Sequence, residues 1–212
     1  MNKTKITIVD YGVGNLSSLK KAFKFFGMEA DISEDPQSVE RADAVVLPGV
    51  GSYEAGMRGL KVRGLVDAVR GAAEKNRPML GICLGAQLLL SQGLEFGVFN
   101  GLDIISGKVV RFPDLENNEK IPQIGWNGVC PLKDQTWQKT IFDSLSENFN
   151  AYFVHSYIFN LDNKEDMLGL TKYGGYEFCS AFKKGNIYGC QFHPEKSGPA
   201  GLKIIKNFID LI

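Results

Sequence analysis

The sequence predicts an α/β fold: a central, mostly parallel sheet with helices on both faces and a partly antiparallel C-terminal half. Three observations predict it. Short apolar runs alternate with helix-period segments through the N-terminal half, the order that builds parallel strands joined by helical crossovers. Glycine-rich loops follow three of those runs, where a parallel sheet gathers its functional loops at one edge. Beyond Ile104 the pattern changes to short strands with little helix between them.

The elements follow in order. Ile6-Thr7-Ile8-Val9-Asp10 reads as a buried strand. Leu16 to Phe26 is helical, with apolar residues at Leu16, Leu19, Ala22, Phe23 and Phe26, and Gly27 closes it. Ala44-Val45-Val46-Leu47 is a second strand, and Leu60 to Ala73 reads as one helix. Met79 to Ile82 is a third strand, followed by a helix-like run, Ala86-Gln87-Leu88-Leu89-Leu90. Lys108–Phe112, Tyr152–His155, Leu168–Lys172, Phe178–Phe182 and Ile187–Gln191 are short strands, and Gly198 to Leu211 is a helix. Pro113 to Lys120 is acidic and polar and is expected to be an exposed loop. No repeat, linker or low-complexity tract divides the chain, so residues 1–212 are expected to form a single domain.

Composition narrows the function. The 212 residues are 44% hydrophobic, enough for a sizeable core. Lys plus Arg and Asp plus Glu each number 24, a balance that gives no footprint for nucleic acid or an anionic membrane. No apolar run reaches membrane-spanning length, and the start of the chain lacks the apolar region of a signal peptide. Cys83, Cys130, Cys179 and Cys190 lie far apart without a CxxC pair, which reads as reduced thiols in a cytoplasm. With only two histidines, the same spacing argues against a structural zinc site.

The chemistry centres on Gly81-Ile82-Cys83-Leu84-Gly85. Gly-x-nucleophile-x-Gly between a strand and a helix is the nucleophile-elbow pattern, here with cysteine. A helix N-terminus facing the sulfur would favour the thiolate, the reactive form. The bland alternative is a buried, packing cysteine. A cysteine nucleophile needs a base, and only His155 and His193 exist. Gln191-Phe192-His193-Pro194-Glu195 places a carboxylate two residues beyond His193, where it can orient the ring, whereas His155 has no carboxylate until Asp162. Spacing therefore favours His193 and leaves His155 as the structural histidine. Attack on a carbonyl builds charge on oxygen, which backbone N–H groups stabilise. Leu84, just after the cysteine, is one expected donor. A second is expected from Pro48-Gly49-Val50-Gly51, after the second strand. An ordinary glycine turn is the alternative there.

Tyr11-Gly12-Val13-Gly14-Asn15 invites a dinucleotide reading. Ser17 stands where the fingerprint needs its third glycine, although Glu34 and Asp35 lie at a suitable distance for the ribose contact. No P-loop motif occurs.

Taken together, these segments resemble a family. Pro48-Gly49-Val50-Gly51, Gly81-Ile82-Cys83-Leu84-Gly85-Ala86-Gln87 and Phe192-His193-Pro194-Glu195 are similar to class I (triad) glutamine amidotransferases. Tyr11-Gly12-Val13-Gly14-Asn15, Gly125-Trp126-Asn127, Phe153-Val154-His155-Ser156-Tyr157 and Glu195-Lys196-Ser197 resemble the motifs of the branch that supplies glutaminase subunits to imidazole glycerol phosphate synthase. The resemblance spans the chain. It implies a glutaminase that hydrolyses L-glutamine and feeds ammonia to a separate (β/α)8-barrel cyclase subunit in a heterodimer of histidine biosynthesis. It implies Cys83 as nucleophile, His193 as base and Glu195 as its orienter. Gly49, Val50, Gly51 and Leu84 would form the oxyanion hole, and Gln87, Glu95, Ser156 and Tyr157 would bind glutamine. Asn15, Trp126 and Lys196 would face the synthase. No metal and no organic cofactor is needed. The family often carries His where this chain has Gln123, and related subunits serve amidotransferases that modify sugars for surface polysaccharides, which is the alternative partner.

Two other classes stay open on residues alone. One is a cysteine-elbow hydrolase of esters or lactones, whose acid would ordinarily lie well upstream of the histidine. The other is a non-catalytic nucleotide-binding module built on Gly12 and Gly14, which leaves Cys83, His193 and Glu195 unexplained.

Overall fold

A computed structural model describes residues 4–116, 119–133 and 135–212. In chain order the elements are β1 (Ile6–Val9), α1 (Leu16–Phe25), β2 (Ala30–Ser33), α2 (Pro36–Glu40), β3 (Ala44–Gly49), α3 (Tyr53–Val62), α4 (Leu65–Glu74), β4 (Met79–Cys83) and α5 (Leu84–Leu88). Then come β5 (Leu90–Gly93), β6 (Phe99–Asn100), β7 (Ile105–Arg111), β8 (Gln123–Val129), β9 (Phe149–His155), β10 (Tyr157–Leu161), β11 (Met167–Tyr173), β12 (Tyr176–Lys184), β13 (Ile187–Cys190) and α6 (Gly198–Ile209).

Among the described residues, eleven strands form one sheet in the order β2-β1-β3-β4-β13-β12-β10-β7-β5-β6, with β11 added on β12. The half from β2 to β13 is parallel, and antiparallel pairing begins where β13 meets β12. β8 and β9 pair antiparallel in a separate two-stranded sheet. Every residue of β1, β3, β4 and β13 is buried, which is why these strands read as unbroken apolar runs. Alternate side chains enter two cores. Ile6, Ile8, Val46, Leu80 and Ile82 meet α1, α6 and β9 on one side. Val9, Val45, Leu47 and Met79 meet α2, α3, α4 and α5 on the other.

Local signals account for the boundaries. Asn15 caps α1 by accepting from Ser18 N–H, and Asp35 caps α2 by accepting from Gln37 and Ser38 N–H, with Pro36 in the first turn. The reading of Leu60 to Ala73 as one helix is corrected: α3 ends at Val62 and α4 starts at Leu65. Gly64 between them has φ +67, a left-handed conformation that no α-helix continues through. The helix-like run to Leu90 is shortened as well, because α5 stops at Leu88 and Leu90 opens β5. The sheet wins Leu90 by pairing it with Ile105. Several strands were not legible as such, notably β2, β8 and β10. The described residues of the Pro113 to Lys120 segment are exposed or half-buried; residues 117 and 118 of that segment lie outside the described residues.

Two helical glycines make opposite demands. A Cβ on Gly59 of α3 would lie 2.2 Å from the Tyr11 carbonyl oxygen, whereas one on Gly71 of α4 would meet nothing within 4 Å. Gly71→Ala is expected to raise unfolding free energy by roughly 0.5–1 kcal/mol through helix propensity. Gly59→Ala gains the same propensity but forces α3 off the loop after β1, and is expected to lose about 1–3 kcal/mol net. Urea unfolding of the two variants checks the sign. Equal stabilisation by both would mean that α3 does not press on that loop.

Candidate active site

β3 and β4 pair in parallel with Gly49 opposite Cys83, so the two glycine loops leave the sheet side by side. Cys83 ends β4 and caps α5 with φ +52 and ψ −113, a conformation that a side-chain-bearing residue adopts only when its surroundings impose it. The flanking glycines are imposed by contact. A Cβ on Gly81 would lie 2.7 Å from Ala86 Cα, and one on Gly85 would lie 1.8 Å from the Leu47 carbonyl oxygen. α5 is five residues long, so few aligned peptides stand behind the sulfur, and the expected helix-terminus effect is small.

β13 lies beside β4 with Cys190 opposite Ile82, and this register delivers Gln191, Phe192 and His193 to the same edge as Cys83. His193 N–H donates to the Tyr152 carbonyl at 2.9 Å. Ser197 Oγ donates to the His193 carbonyl at 2.7 Å and accepts from Tyr152 N–H at 2.9 Å, which ties β9 to the histidine segment. A 3-10 turn, Pro194–Lys196, folds Glu195 back so that Oε1 meets His193 Nδ1 at 2.8 Å. Both side chains are about 95% buried or more. His193 Nε2 and Glu195 Oε2 have no hydrogen-bond partner. Burial works against a charged His193 ring, but Cys83 and then Glu195 outweigh it and carry the pKa up to about 9.

A cavity of about 300 Å³ opens onto the sulfur. Val50, Gly51, Leu84, Gln87, Glu95, Ser156 and Tyr157 all line it with Cys83, so eight of the expected site residues share one space, and His155 lines it as well. Gly49 is not among the lining residues and lies opposite Cys83 in the strand register. Glu95 Oε2 accepts from Tyr53 N–H at 2.6 Å, which anchors the carboxylate at the start of α3. The Tyr157 hydroxyl is pushed above its ordinary pKa by burial and then by the Glu95 carboxylate, which places the two groups within electrostatic reach. Gln87 is more constrained than the sequence suggested: its NH2 group donates to the Tyr157 carbonyl at 3.2 Å and to Gln191 Oε1 at 3.0 Å. Only its oxygen is left for a ligand.

His155 takes a different place from His193. Its Nδ1 meets the Tyr157 carbonyl at 2.8 Å and its Nε2 meets the Gln123 side-chain amide at 3.0 Å. Burial pushes its pKa down to about 4, against the Tyr157 hydrogen bond, so the ring is neutral near pH 7. The Gln123 atom placed at Nε2 is the amide oxygen, so both ring nitrogens face oxygens; a neutral ring has one N–H to give, and the second contact becomes a hydrogen bond only if the Gln123 amide turns its NH2 to Nε2.

The three residues expected at a partner face are exposed. Trp126 on β8 stacks edge-on to Tyr152, and Lys196 Nζ lies 5.8 Å from the centre of the same Tyr152 ring. Asn15 spends its side-chain oxygen on the α1 cap. Ile124, beside Trp126 on β8, is also exposed.

Sequence reasoning missed Tyr11 and Gln191 as individuals. Tyr11 is fully buried, and a Cβ on Gly49 would lie 2.0 Å from its hydroxyl. Gln191 lies inside a quoted motif and is fully buried, with Nε2 3.8 Å from the Cys83 sulfur. A polar residue held at the carboxyl end of an apolar strand was the available signal. Among the described residues, no group of His, Cys, Asp and Glu is arranged to hold a metal ion.

Comparison with known proteins fits this geometry. The model of the family "Glutamine amidotransferase class-I" matches residues 7–211. A protein of Chlorobaculum tepidum named imidazole glycerol phosphate synthase subunit HisH is 44% identical over 205 residues, covering 97% of this chain and 99% of its own. A Legionella pneumophila protein of the same name is 42% identical over 212 residues, covering 98% of this chain and all of its own. The solved structure of a glutamine amidotransferase from Thermotoga maritima superposes with a TM-score of 0.66 at 19% identity, over all of this chain and 84% of that one, which is a likeness of fold.

The two histidines offer a direct test. In an NMR titration, one ring is expected to titrate near pH 9 and the other to stay neutral down to about pH 4. Cys83→Ala is expected to lower the upper midpoint, since Cys83 is the first of the groups that raise it. A group with a raised folded pKa stabilises fully below its unfolded value, here 6.5, and the contribution disappears as pH rises through about 9. Wild type should therefore lose stability across that window, and Cys83→Ala should lose less. Coincident midpoints near 6.5 would overturn the assignment.

Proposed function

The chain belongs to the class-I glutamine amidotransferases, and from that membership we propose that it hydrolyses the side-chain amide of L-glutamine and hands the ammonia to a separate synthase subunit. The observation that carries the reading is that Cys83 lines one cavity with Gln87, Glu95, Ser156 and Tyr157, while β13, paired with β4, brings the bonded His193 and Glu195 to the same sheet edge. Glutamine enters with its amide carbon toward the sulfur. The Cys83 thiolate attacks that carbon, and the negative oxygen is held by backbone N–H groups of Leu84 and of the Gly49–Gly51 loop. His193 gives a proton to the departing nitrogen, and ammonia leaves a glutamyl thioester. His193 then takes a proton from water, the hydroxide equivalent adds to the thioester, and glutamate departs as the thiolate is restored. Glu195 keeps the ring in the tautomer that presents Nε2 to the sulfur.

The relatives support a reading of the partner. Proteins that match over nearly their whole length carry the name of a subunit of imidazole glycerol phosphate synthase. This supports a 1:1 pairing with the (β/α)8-barrel cyclase subunit in histidine biosynthesis, in the cytoplasm. Ammonia is useful only if it is captured before it is protonated in water, and the exposed Ile124, Trp126 and Lys196 are the surface for that seal.

Cys83→Ala is expected to cut glutamine hydrolysis by at least about 10³-fold while the partner's synthesis from ammonium salts survives. His193→Asn should abolish turnover, Glu195→Gln should fall between, and His155→Asn should leave measurable hydrolysis. A reversed order for the two histidines in a glutaminase assay would sink the assignment of the base.

The isolated chain is expected to be a poor glutaminase. Adding the cyclase subunit with its ligand should raise kcat more than it lowers KM, because an oxyanion donor acts mainly in the transition state. Titration of each candidate subunit into the glutaminase assay decides the partner. Stimulation by a sugar-modifying amidotransferase alone would move the chain to that pathway and leave the hydrolytic chemistry intact.

A further inference from the structure

Outside the triad, one buried polar side chain points at the nucleophile. Gln191 sits just past β13 with no exposed surface, and its Nε2 lies 3.8 Å from Cys83 Sγ. A carboxamide has two ends, and which end faces the sulfur decides what it does. The neighbouring groups fix that choice. The Tyr157 carbonyl can only accept, so the Gln87 group facing it at 3.2 Å must be NH2. The second N–H of that same group then faces Gln191 at 3.0 Å and requires an acceptor, so Gln191 turns its oxygen to Gln87. Its NH2 is left for the sulfur, which also meets the Val154 carbonyl at 3.9 Å and stands within electrostatic reach of His193 and Tyr11. His155 braces the same carbonyl from the other side at 2.8 Å and is braced in turn by Gln123. The orientation of the donor at Cys83 is thus set by a backbone oxygen of β10, through Gln87, which lines the cavity.

We propose that Gln191 is a positioning residue for the nucleophile: oriented by Gln87, it aims an N–H at the Cys83 sulfur and favours the thiolate that attacks the substrate. The Gln87–Gln191 pair also makes the floor of the glutamine cavity and the reactivity of the sulfur one mechanical unit. A ligand that pulls on Gln87 changes the donor at Cys83. The kinetic consequence rests on the glutaminase reading; the effect on sulfur reactivity does not.

The test uses the full chain. Alkylation of Cys83 by iodoacetamide is followed across pH by peptide-resolved mass spectrometry, which separates it from the exposed Cys130. Gln191→Met keeps the side-chain length and removes the donor. It is expected to slow Cys83 alkylation at neutral pH about tenfold and move the profile to higher pH, the scale of one lost hydrogen bond to a charged group. Gln191→Glu should shift it further in the same direction, by setting a carboxylate beside the sulfur. Gln87→Met should reproduce the Gln191→Met shift, since it frees the amide to turn. In the glutaminase assay with partner, Gln191→Met should lower kcat more than it changes KM. A wild-type alkylation profile in Gln191→Met, with or without a lower melting temperature, makes Gln191 a packing residue and overturns the proposal. So does a Gln87→Met profile that stays at wild type. A wild-type chain that alkylates normally but hydrolyses no glutamine with any partner overturns the glutaminase reading and leaves the alkylation result standing.

Discussion

The pairing of β3 with β4 is the constraint on which the site depends. It sets Gly49 opposite Cys83, and it brings the backbone of α5 so close to β3 that Gly85 has no room for a side chain against Leu47. A chain that must leave β4 and enter a helix within one residue has to turn at Cys83, and the positive φ there is the cost of that turn. The strain exposes the sulfur to the cavity, while the packed strands on either side keep it from relaxing. β13 completes the arrangement on the far side of β4, and its ladder brings the segment that carries His193 to the edge where Cys83 sits.

Charge is handled in the same economical way. His193 and Glu195 are two residues apart in sequence and buried together, so neither has to find its partner across a flexible distance. His155 shows the contrast within one molecule. It is buried like His193 but faces a carbonyl and an amide, and without a carboxylate its charged form has only the Tyr157 carbonyl to set against desolvation. Two imidazoles of one chemistry are thereby pushed in opposite directions, His155 down and His193 up.

Much of this was legible in the sequence, for physical reasons that differ by element. β1, β3 and β4 are buried on both faces, and a strand buried on both faces has to be apolar throughout. The elbow was legible because close backbone approach tolerates only glycine at Gly81 and Gly85. β2, β8 and β10 were not, since each presents polar or glycine residues to solvent or to a loop, and pairing with neighbours rather than composition makes them strands. The break between α3 and α4 turns on the single left-handed Gly64, within a stretch whose apolar spacing is otherwise continuous. Gln87 was legible as a cavity residue, but its bond to Gln191 was not, because the two are brought together by strand order and lie more than a hundred residues apart.

Strand order also dictates when the site can exist. β13 is the last strand in the chain, yet it occupies the middle of the sheet, between β4 and β12. Until it is made, the parallel half and the antiparallel half have no direct pairing at that seam. β4 then ends in an open ladder of backbone donors and acceptors directly below Cys83. A growing or truncated chain therefore presents Cys83 without His193, and beside an edge that invites other strands. Closure of the sheet and the arrival of His193 beside Cys83 both require the last strand, and both rest on contacts of long sequence separation.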